Sequence, residues 1–371
     1  MSFEFQLVLT EECNMACTYC YMNNKPEVMS KDVFDAHYAL LPYIMKLYGQ
    51  ENYNAALFGG EPLLNWDLIE YIVPIFKDDP KCQNIIVMTN GLVFQKEGKL
   101  DWLIQNNVSI SLSFDGLWNI KNRPLKNGQS SLPIYMDKDK PLYKYLISGS
   151  GCKVMIAPES AETMVENYEW FVDTLGLTSP DYSLVRDKHW DDQSLYRFKI
   201  EVKKLASRNI QYIKDGTRTM VGFFQLAILD MLFGETYGKR PFGCFAGCKG
   251  AGFMPNGKVY PCARFGSNNK YILFDSLNKQ IHQNNVDKIN SPQVCDTRTF
   301  EKCKQCIIKE YCNAGCTWSQ LESCGGEKCE PLDNICELFY AIYEQAIRIT
   351  DELKDNSIFR AMIKDAIKNV G

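Results

Sequence analysis

Histidine is almost missing from this chain. Among 371 residues there are three, His37, His189 and His282, so a metal centre built mainly on imidazoles is excluded. A cationic excess is missing too: Lys and Arg number 41 against 45 Asp and Glu, for a net charge of −4. That balance leaves no electrostatic footprint for nucleic acid. No apolar run is long enough to span a bilayer, and no basic stretch followed by an apolar core stands at the start. The expected setting is therefore cytoplasmic, with no membrane partner. Internal repeats and low-complexity tracts are also lacking.

Against these absences stand 16 cysteines. In a cytosolic chain they point to metal rather than to disulfides. With so little histidine the ligation must be mostly sulfur, which favours iron–sulfur clusters or an all-cysteine zinc site. Apolar content of 46% and charged content of 23% fit a folded protein, and the length suits one large domain with a smaller one. Only Cys82 and Cys152 fall between Met22 and Arg240, whereas eleven cysteines lie from Cys244 to Cys336. That shift places a boundary near Tyr237–Phe242. The expected segments are residues 1–236, a cysteine-rich domain at 237–345 and a C-terminal helix at 346–371, where Leu338, Ile342, Ala346 and Ile349 have helical spacing.

Cys13, Cys17 and Cys20 read CxxxCxxC on the loop after an apolar strand, Phe3 to Thr10. Three thiolates can hold three irons of a four-iron, four-sulfur cluster and leave the fourth iron open. An open position distinguishes a catalytic metal site from a closed structural one. A structural cluster would want a fourth cysteine nearby, and the next is Cys82.

Strand and helix signals then alternate. Ser30 caps a helix ending at Gly49, and a strand over Tyr53–Phe58 precedes a helix around Leu68–Phe76. Further strands are expected at Ile85–Met88, Val108–Phe114, Val154–Ala157 and Tyr182–Val185. Helices are expected at Leu100–Asn106, Leu142–Leu146, Thr163–Leu175, Leu195–Ile213 and Met220–Leu232. This alternation predicts an α/β fold with a parallel sheet and outer helices, and chemistry at the C-terminal strand ends. Gly59, Gly60, Glu61 and Pro62 follow the second strand, Thr89, Asn90 and Gly91 the third, and Ser113, Asp115 and Gly116 close the fourth. Glycines there let backbone approach a ligand closely, and a carboxylate beside them can take an ammonium group. Each signal alone is ordinary turn chemistry; four on successive strands, with the cysteine loop, are hard to assign to turns alone.

CxxxCxxC with Tyr19 before the last cysteine, GGEP at 59–62, TNG at 89–91 and SFDG at 113–116 together resemble the radical S-adenosylmethionine (SAM) enzymes. The resemblance implies a partial (β/α)6 TIM-like barrel with the cluster in its mouth and SAM on the open iron through its methionine amino and carboxylate groups. By analogy Gly59, Gly60 and Glu61 line the methionine ammonium, Ser113 and Asp115 address the ribose, and Tyr19 and Asn90 sit by the nucleoside. It also implies the chemistry: one electron from the reduced cluster splits the sulfonium, and a 5′-deoxyadenosyl radical takes hydrogen from substrate. Arg186, after the sixth strand, is a candidate for the SAM carboxylate, with a surface ion pair the plainer reading.

The second part resembles the SPASM extension of such enzymes, an iron–sulfur domain with seven cysteines. Twelve residues separate Cys244 from Gly257, Cys262 follows after four more, and Cys303, Cys306, Cys312 and Cys316 have two, five and three residues between them. The resemblance implies two auxiliary clusters, so three 4Fe-4S clusters in all. Cys244, Cys262 and Cys316 serve the first, and Cys303, Cys306, Cys312 and Cys336 the second. Cys248 is the candidate fourth ligand of the first, the alternative being an open iron that binds a substrate thiolate. Taken alone, Cys303 and Cys306 suit zinc equally; the SAM-type barrel tips the choice to iron. Cys82 and Cys152 read as small apolar residues, and Cys295, Cys324 and Cys329 fit neither cluster.

SPASM-bearing relatives often modify peptides, so the expected substrate is a ribosomal peptide or a protein, oxidised to a cross-link, thioether or dehydro product. The expected partners are a flavodoxin or ferredoxin as reductase and a separate peptide-recognition protein, because Cys13 leaves no room for a recognition domain before the barrel. The alternatives are a sulfatase-maturing enzyme that makes formylglycine and a radical SAM enzyme acting on a small molecule. A zinc or electron-carrier protein without enzymatic activity is the third. The sulfatase-maturing subfamily usually has Asp after the GxxxxC cysteine, where this chain has Ala263.

Overall fold

The structure is a computed structural model that describes residues 2–149, 151–178, 180–233, 246–291, 300–312, 315–325 and 331–370. Packing groups the chain into two units that cut across the expected segments. The first is Met1–Ser113, Arg123–Tyr143 and Phe245–Cys295; the second is Phe114–Asn122, Lys144–Cys244 and Asp296–Gly371.

The first unit is built on one sheet. Strands β1 (Phe3–Thr10), β2 (Tyr53–Gly59), β3 (Cys82–Thr89) and β4 (Ser109–Leu112) run parallel in that spatial order. Leu7 pairs with Leu57, Leu57 with Val87, and Val87 with Ile110. That common register brings the four C-terminal strand ends to one edge. The last four residues of β1 are all buried, as expected for a strand covered on both faces.

On the other side of β1 the sheet continues into the cysteine-rich region, which the sequence had suggested as a separate domain. Strand β7 (Gly250–Phe253) pairs parallel with β1, and β8 (Lys258–Tyr260), β9 (Phe274–Asp275) and β10 (Gln280–Ile281) follow antiparallel. Phe5 of β1 meets Phe253 of β7 edge-on at 4.5 Å between ring centroids, and Phe76 at 6.1 Å. Edge-to-face aromatic pairs of this kind add to the burial energy.

Helix Lys31–Leu47 starts where expected, with Ser30 Oγ accepting the Val33 N–H. Its buried face carries Phe34, His37, Leu41, Ile44 and Met45, the spacing of one helical stripe. His37 is fully buried. Its Nε2 lies 2.9 Å from the Met254 carbonyl and its Nδ1 2.7 Å from Ser276 Oγ. A carbonyl only accepts, so Nε2 carries the proton and Nδ1 accepts from the serine. The neutral ring thus ties the helix to the β7–β9 meander, where Asp275 pairs with Lys258.

Burial depresses the His37 pKa from 6.5 to about 4, Met254 and Asp275 pulling the other way. The unfolded chain therefore takes up the proton first as pH falls. The stability held by the neutral ring is complete above pH 6.5 and is lost on descending toward pH 4, by at most ~3 kcal/mol. Urea titrations of wild type and His37→Gln should show a stability gap at pH 7 that narrows at pH 5. A gap independent of pH would contradict this.

In the second unit β5 (Lys153–Ile156) and β6 (Asp181–Leu184) form a parallel pair. Long helices Asp192–Lys214, Gly222–Phe233 and Asp333–Leu353 make most of the rest. The expected helix over Thr163–Leu175 is subdivided: a 3-10 turn at Pro158–Thr163, an α-helix at Met164–Glu169 and a π-turn at Trp170–Thr174. Position 346 falls inside Asp333–Leu353, and a further helix, Ser357–Val370, follows it. Among the described residues no helix is long and apolar enough to cross a membrane.

Candidate active site

The loop after β1 carries Cys13, Cys17 and Cys20. Cys13 and Cys17 are half-buried, Cys20 is exposed, and none is in a disulfide. Two walls hold this loop. On one side the Gly60 N–H donates to the Thr10 carbonyl at 2.8 Å and the Glu61 N–H to the Glu12 carbonyl at 2.7 Å. On the other the Ala16 N–H donates to the Pro124 carbonyl at 2.8 Å, and Met15 bridges Leu125.

The glycines of GGE serve this packing. A Cβ on Gly60 would stand 2.3 Å from the Glu12 carbonyl oxygen, and one on Gly59, whose φ is +157°, 2.4 Å from the Thr10 oxygen. The backbone they admit is the chain's own cysteine loop. Glu61 is likewise committed within the fold. It is 1% exposed, and its carboxylate accepts from Thr89 Oγ1 at 2.6 Å, the Asn90 N–H at 2.8 Å and the Leu63 N–H at 3.1 Å. Burial pushes the carboxyl up to about 7 against the pull of those donors and of Arg123. Glu61 thereby joins the ends of β2 and β3.

Asn90 faces the cysteines. Its Nδ2 donates to Asn14 Oδ1 at 2.7 Å and lies 3.8 Å from Cys13 Sγ, while its Oδ1 accepts the Leu92 N–H. Burial raises the Cys13 thiol, opposed by the Met15 N–H 3.4 Å from the sulfur. Tyr19 is half-buried, with the Arg123 guanidinium 5.4 Å from its ring centroid. Ser113, half-buried, continues the ladder from its N–H to the Thr89 carbonyl at 2.8 Å. Asp115, in the second unit, is fully buried and its carboxylate accepts the Met155 N–H at 2.9 Å.

Three residues of this site carried no sequence signal. Arg123 is buried and reaches Cys17 Sγ at 3.9 Å. The Tyr135 hydroxyl, wholly buried, donates to the Asn90 carbonyl at 2.5 Å. Asn14 is the third. An Arg before a proline, a Tyr in an apolar run and an Asn between cysteines look like any loop or core residue until the chain is folded.

The donor set fits an iron–sulfur cluster. Three thiols share one loop, and a peptide N–H, an amide and a guanidinium are directed at two of the sulfurs, the kind of surroundings that stabilise bound thiolates. Among the described residues no three His, Cys, Asp or Glu side chains converge on a single metal ion.

The later cysteines divide between the units. Cys248 and Cys262 belong to the first, and Cys303, Cys306, Cys312, Cys316 and Cys336 to the second. Cys244, Cys295 and Cys329 lie outside the described residues. The sulfurs of Cys248 and Cys324 are engaged in disulfides. In the second unit the Tyr340 hydroxyl lies 3.1 Å from Cys306 Sγ, one of the four ligands expected for the second auxiliary cluster. Arg186 grips the Gly315 carbonyl at 3.2 Å, next to Cys316, instead of standing as a surface ion pair.

Comparison with known proteins agrees with this geometry. Residues 7–137 match the Radical SAM superfamily. The antilisterial bacteriocin subtilosin biosynthesis protein AlbA of Bacillus subtilis is 24% identical over 354 residues, 89% of this chain and 72% of AlbA. The structure of anSMEcpe with bound AdoMet and a Kp18Cys peptide superposes with a TM-score of 0.71 at 18% identity, over 95% of this chain and 99% of that one. Streptococcus suis SuiB bound to its precursor peptide SuiA gives 0.57 at 16% identity, over 90% and 76%. The fold is thus the α/β barrel type of these structures, followed by a cysteine-rich region. The cysteine loop, the strand-end motifs and these likenesses agree on a domain of the Radical SAM superfamily at residues 7–137.

Proposed function

We propose that this enzyme oxidatively modifies a ribosomally made peptide, forming a cross-link, a thioether or a dehydro residue. One observation carries the reading: the likeness does not stop at residue 137 but runs through the cysteine-rich region, over 89% of the chain for AlbA and 95% for the peptide-bound anSMEcpe structure. Proteins similar to this one along most of its length thus include a bacteriocin biosynthesis protein and two that bind peptides.

Cys13, Cys17 and Cys20 would hold the SAM-binding cluster. When bound, that cluster and SAM supply an electron and a 5′-deoxyadenosyl radical able to take hydrogen from a substrate. Tyr19, Gly59, Gly60, Glu61, Asn90 and Ser113 would surround SAM, while the carboxylate of Asp115, expected at the ribose, is taken by the Met155 N–H. Two auxiliary clusters are proposed, one on Cys244, Cys262 and Cys316 with Cys248 as fourth ligand once its disulfide is reduced, and one on Cys303, Cys306, Cys312 and Cys336. A flavodoxin or ferredoxin reductase, a separate peptide-recognition protein and a cytoplasmic setting complete the reading. The sulfatase-maturing alternative calls for a carboxylate at position 263. Ala263 is buried there, its N–H directed at Gln6 Oε1 3.2 Å away.

The test is mass spectrometry of a short precursor encoded beside this gene. Incubation with the reconstituted enzyme, SAM and dithionite should remove two hydrogen atoms from the peptide and release 5′-deoxyadenosine. An untouched precursor, with turnover only on a sulfatase segment or a small molecule, would overturn the proposal.

A further inference from the structure

Helix Asp333–Leu353 presents Cys336, Tyr340 and Tyr343 at i, i+4 and i+7, one face of the helix. Each reaches the segment that carries the other cysteines. The Tyr343 hydroxyl donates to the Tyr311 carbonyl at 2.7 Å, directly before Cys312. The Tyr340 hydroxyl lies 3.1 Å from Cys306 Sγ. Tyr340 is half-buried. A cation stands on the facing segment: Lys302, directly before Cys303, is held by the Pro331 carbonyl at 2.9 Å and by Asp333 of the same helix as Cys336.

We propose that Tyr340 is a positioning residue that donates a hydrogen bond to a sulfur of the auxiliary cluster, and that it and the charge of Lys302 beside the ligands hold the cluster's reduction potential up. The inference rests on the assignment of Cys303, Cys306, Cys312 and Cys336 as its ligands. Between a phenol and a thiol either atom can donate. A thiolate bound to iron can only accept, so the Tyr340 O–H must then point at Cys306. Reduction adds negative charge to a cluster and its sulfurs. A donor fixed at 3.1 Å stabilises that charge more than the oxidised state, and hydrogen bonds to the sulfurs are among the means by which proteins set these potentials. Lys302 acts in the same direction through a full positive charge.

The experiment is an anaerobic redox titration, followed by electron paramagnetic resonance, of the reconstituted full chain, with iron and acid-labile sulfide measured on the same samples. Tyr340→Phe keeps the ring and removes only the hydroxyl. It should retain wild-type iron while one auxiliary midpoint moves to more negative potential, the other couples staying in place. Lys302→Gln should shift the same couple the same way, and the double variant further. A Cys306→Ala, Cys336→Ala double variant tests the ligand assignment separately by losing one cluster's iron. Full iron in that variant sinks the assignment. Loss of its iron together with unmoved midpoints in both Tyr340→Phe and Lys302→Gln overturns the donor proposal. Iron loss from Tyr340→Phe at an unchanged midpoint of the remaining cluster also overturns it, because the hydroxyl would then serve folding alone.

Discussion

Replacement of Gly60 by alanine is expected to unseat the cysteine loop. The new Cβ would lie 2.3 Å from the Glu12 carbonyl oxygen and 2.6 Å from that of Glu11, whereas ordinary contact begins near 3.4 Å. Both obstacles are backbone, so no side chain can swing aside. The loop must retreat by roughly an ångström, which breaks the Gly60–Thr10 and Glu61–Glu12 hydrogen bonds that join it to the end of β2. Overpacking together with lost backbone bonds is worth about 3 kcal/mol. The catalytic loss should be larger than the stability loss suggests, because a displacement of that size at a reacting centre can cost ~100-fold in rate. Iron retention after reconstitution and 5′-deoxyadenosine release should both fall, with far-ultraviolet circular dichroism little changed. Wild-type turnover by Gly60→Ala would show that the loop is held by something other than this contact.

Cys17→Ala should be more severe still for activity and milder for the fold. Cys17 is half-buried in a loop outside the sheet, and Arg123 approaches its sulfur at 3.9 Å. Its removal disturbs neither the sheet register nor the core. It leaves two of the three thiols that the loop offers, too few to keep a cluster with a single open iron. Reconstituted wild-type protein with SAM and a strong reductant should release 5′-deoxyadenosine, and the variant should fall to background with less iron bound. Unchanged turnover would refute the site assignment. Glu61 sets the contrast: its carboxylate joins two strand ends through three hydrogen bonds, so its loss acts on the architecture of the site as a whole.

The sequence pattern was most readable where local rules act without competition. The first strand lies at Phe3–Thr10 as the apolar run implies, and Ser30 caps its helix as its hydroxyl predicts. Agreement weakens where a distant partner decides. The expected strand Val108–Phe114 is shorter, Ser109–Leu112, because Ser113 still bonds Thr89 but the Phe114 N–H turns to the Lys153 carbonyl. The helix over Thr163–Leu175 changes its winding at Trp170, where Asn167 and Phe171 crowd Gly116. The cysteine-rich boundary misses that β7 extends the sheet of β1. Four residues as plain as Gly250–Phe253 carry no composition that names their neighbour.

By itself the sequence determined which chemistry to expect: three thiols on one loop, glycines and carboxamides at successive strand ends, and a second field of cysteines in a chain so poor in histidine that metal ligation there would be mostly sulfur. Motifs of this kind survive in a linear reading because spacing along the chain limits which groups can share a metal. Tertiary structure alone decided what each side chain is spent on. It turned the GGE glycines toward the cysteine loop, tied Glu61 to Thr89 and Asn90, brought Arg123 to Cys17, and set Tyr340 against Cys306. Those partners lie up to 106 residues apart in the chain. Only the common strand register and the helix face bring them within hydrogen-bond range, and no local propensity encodes that distance.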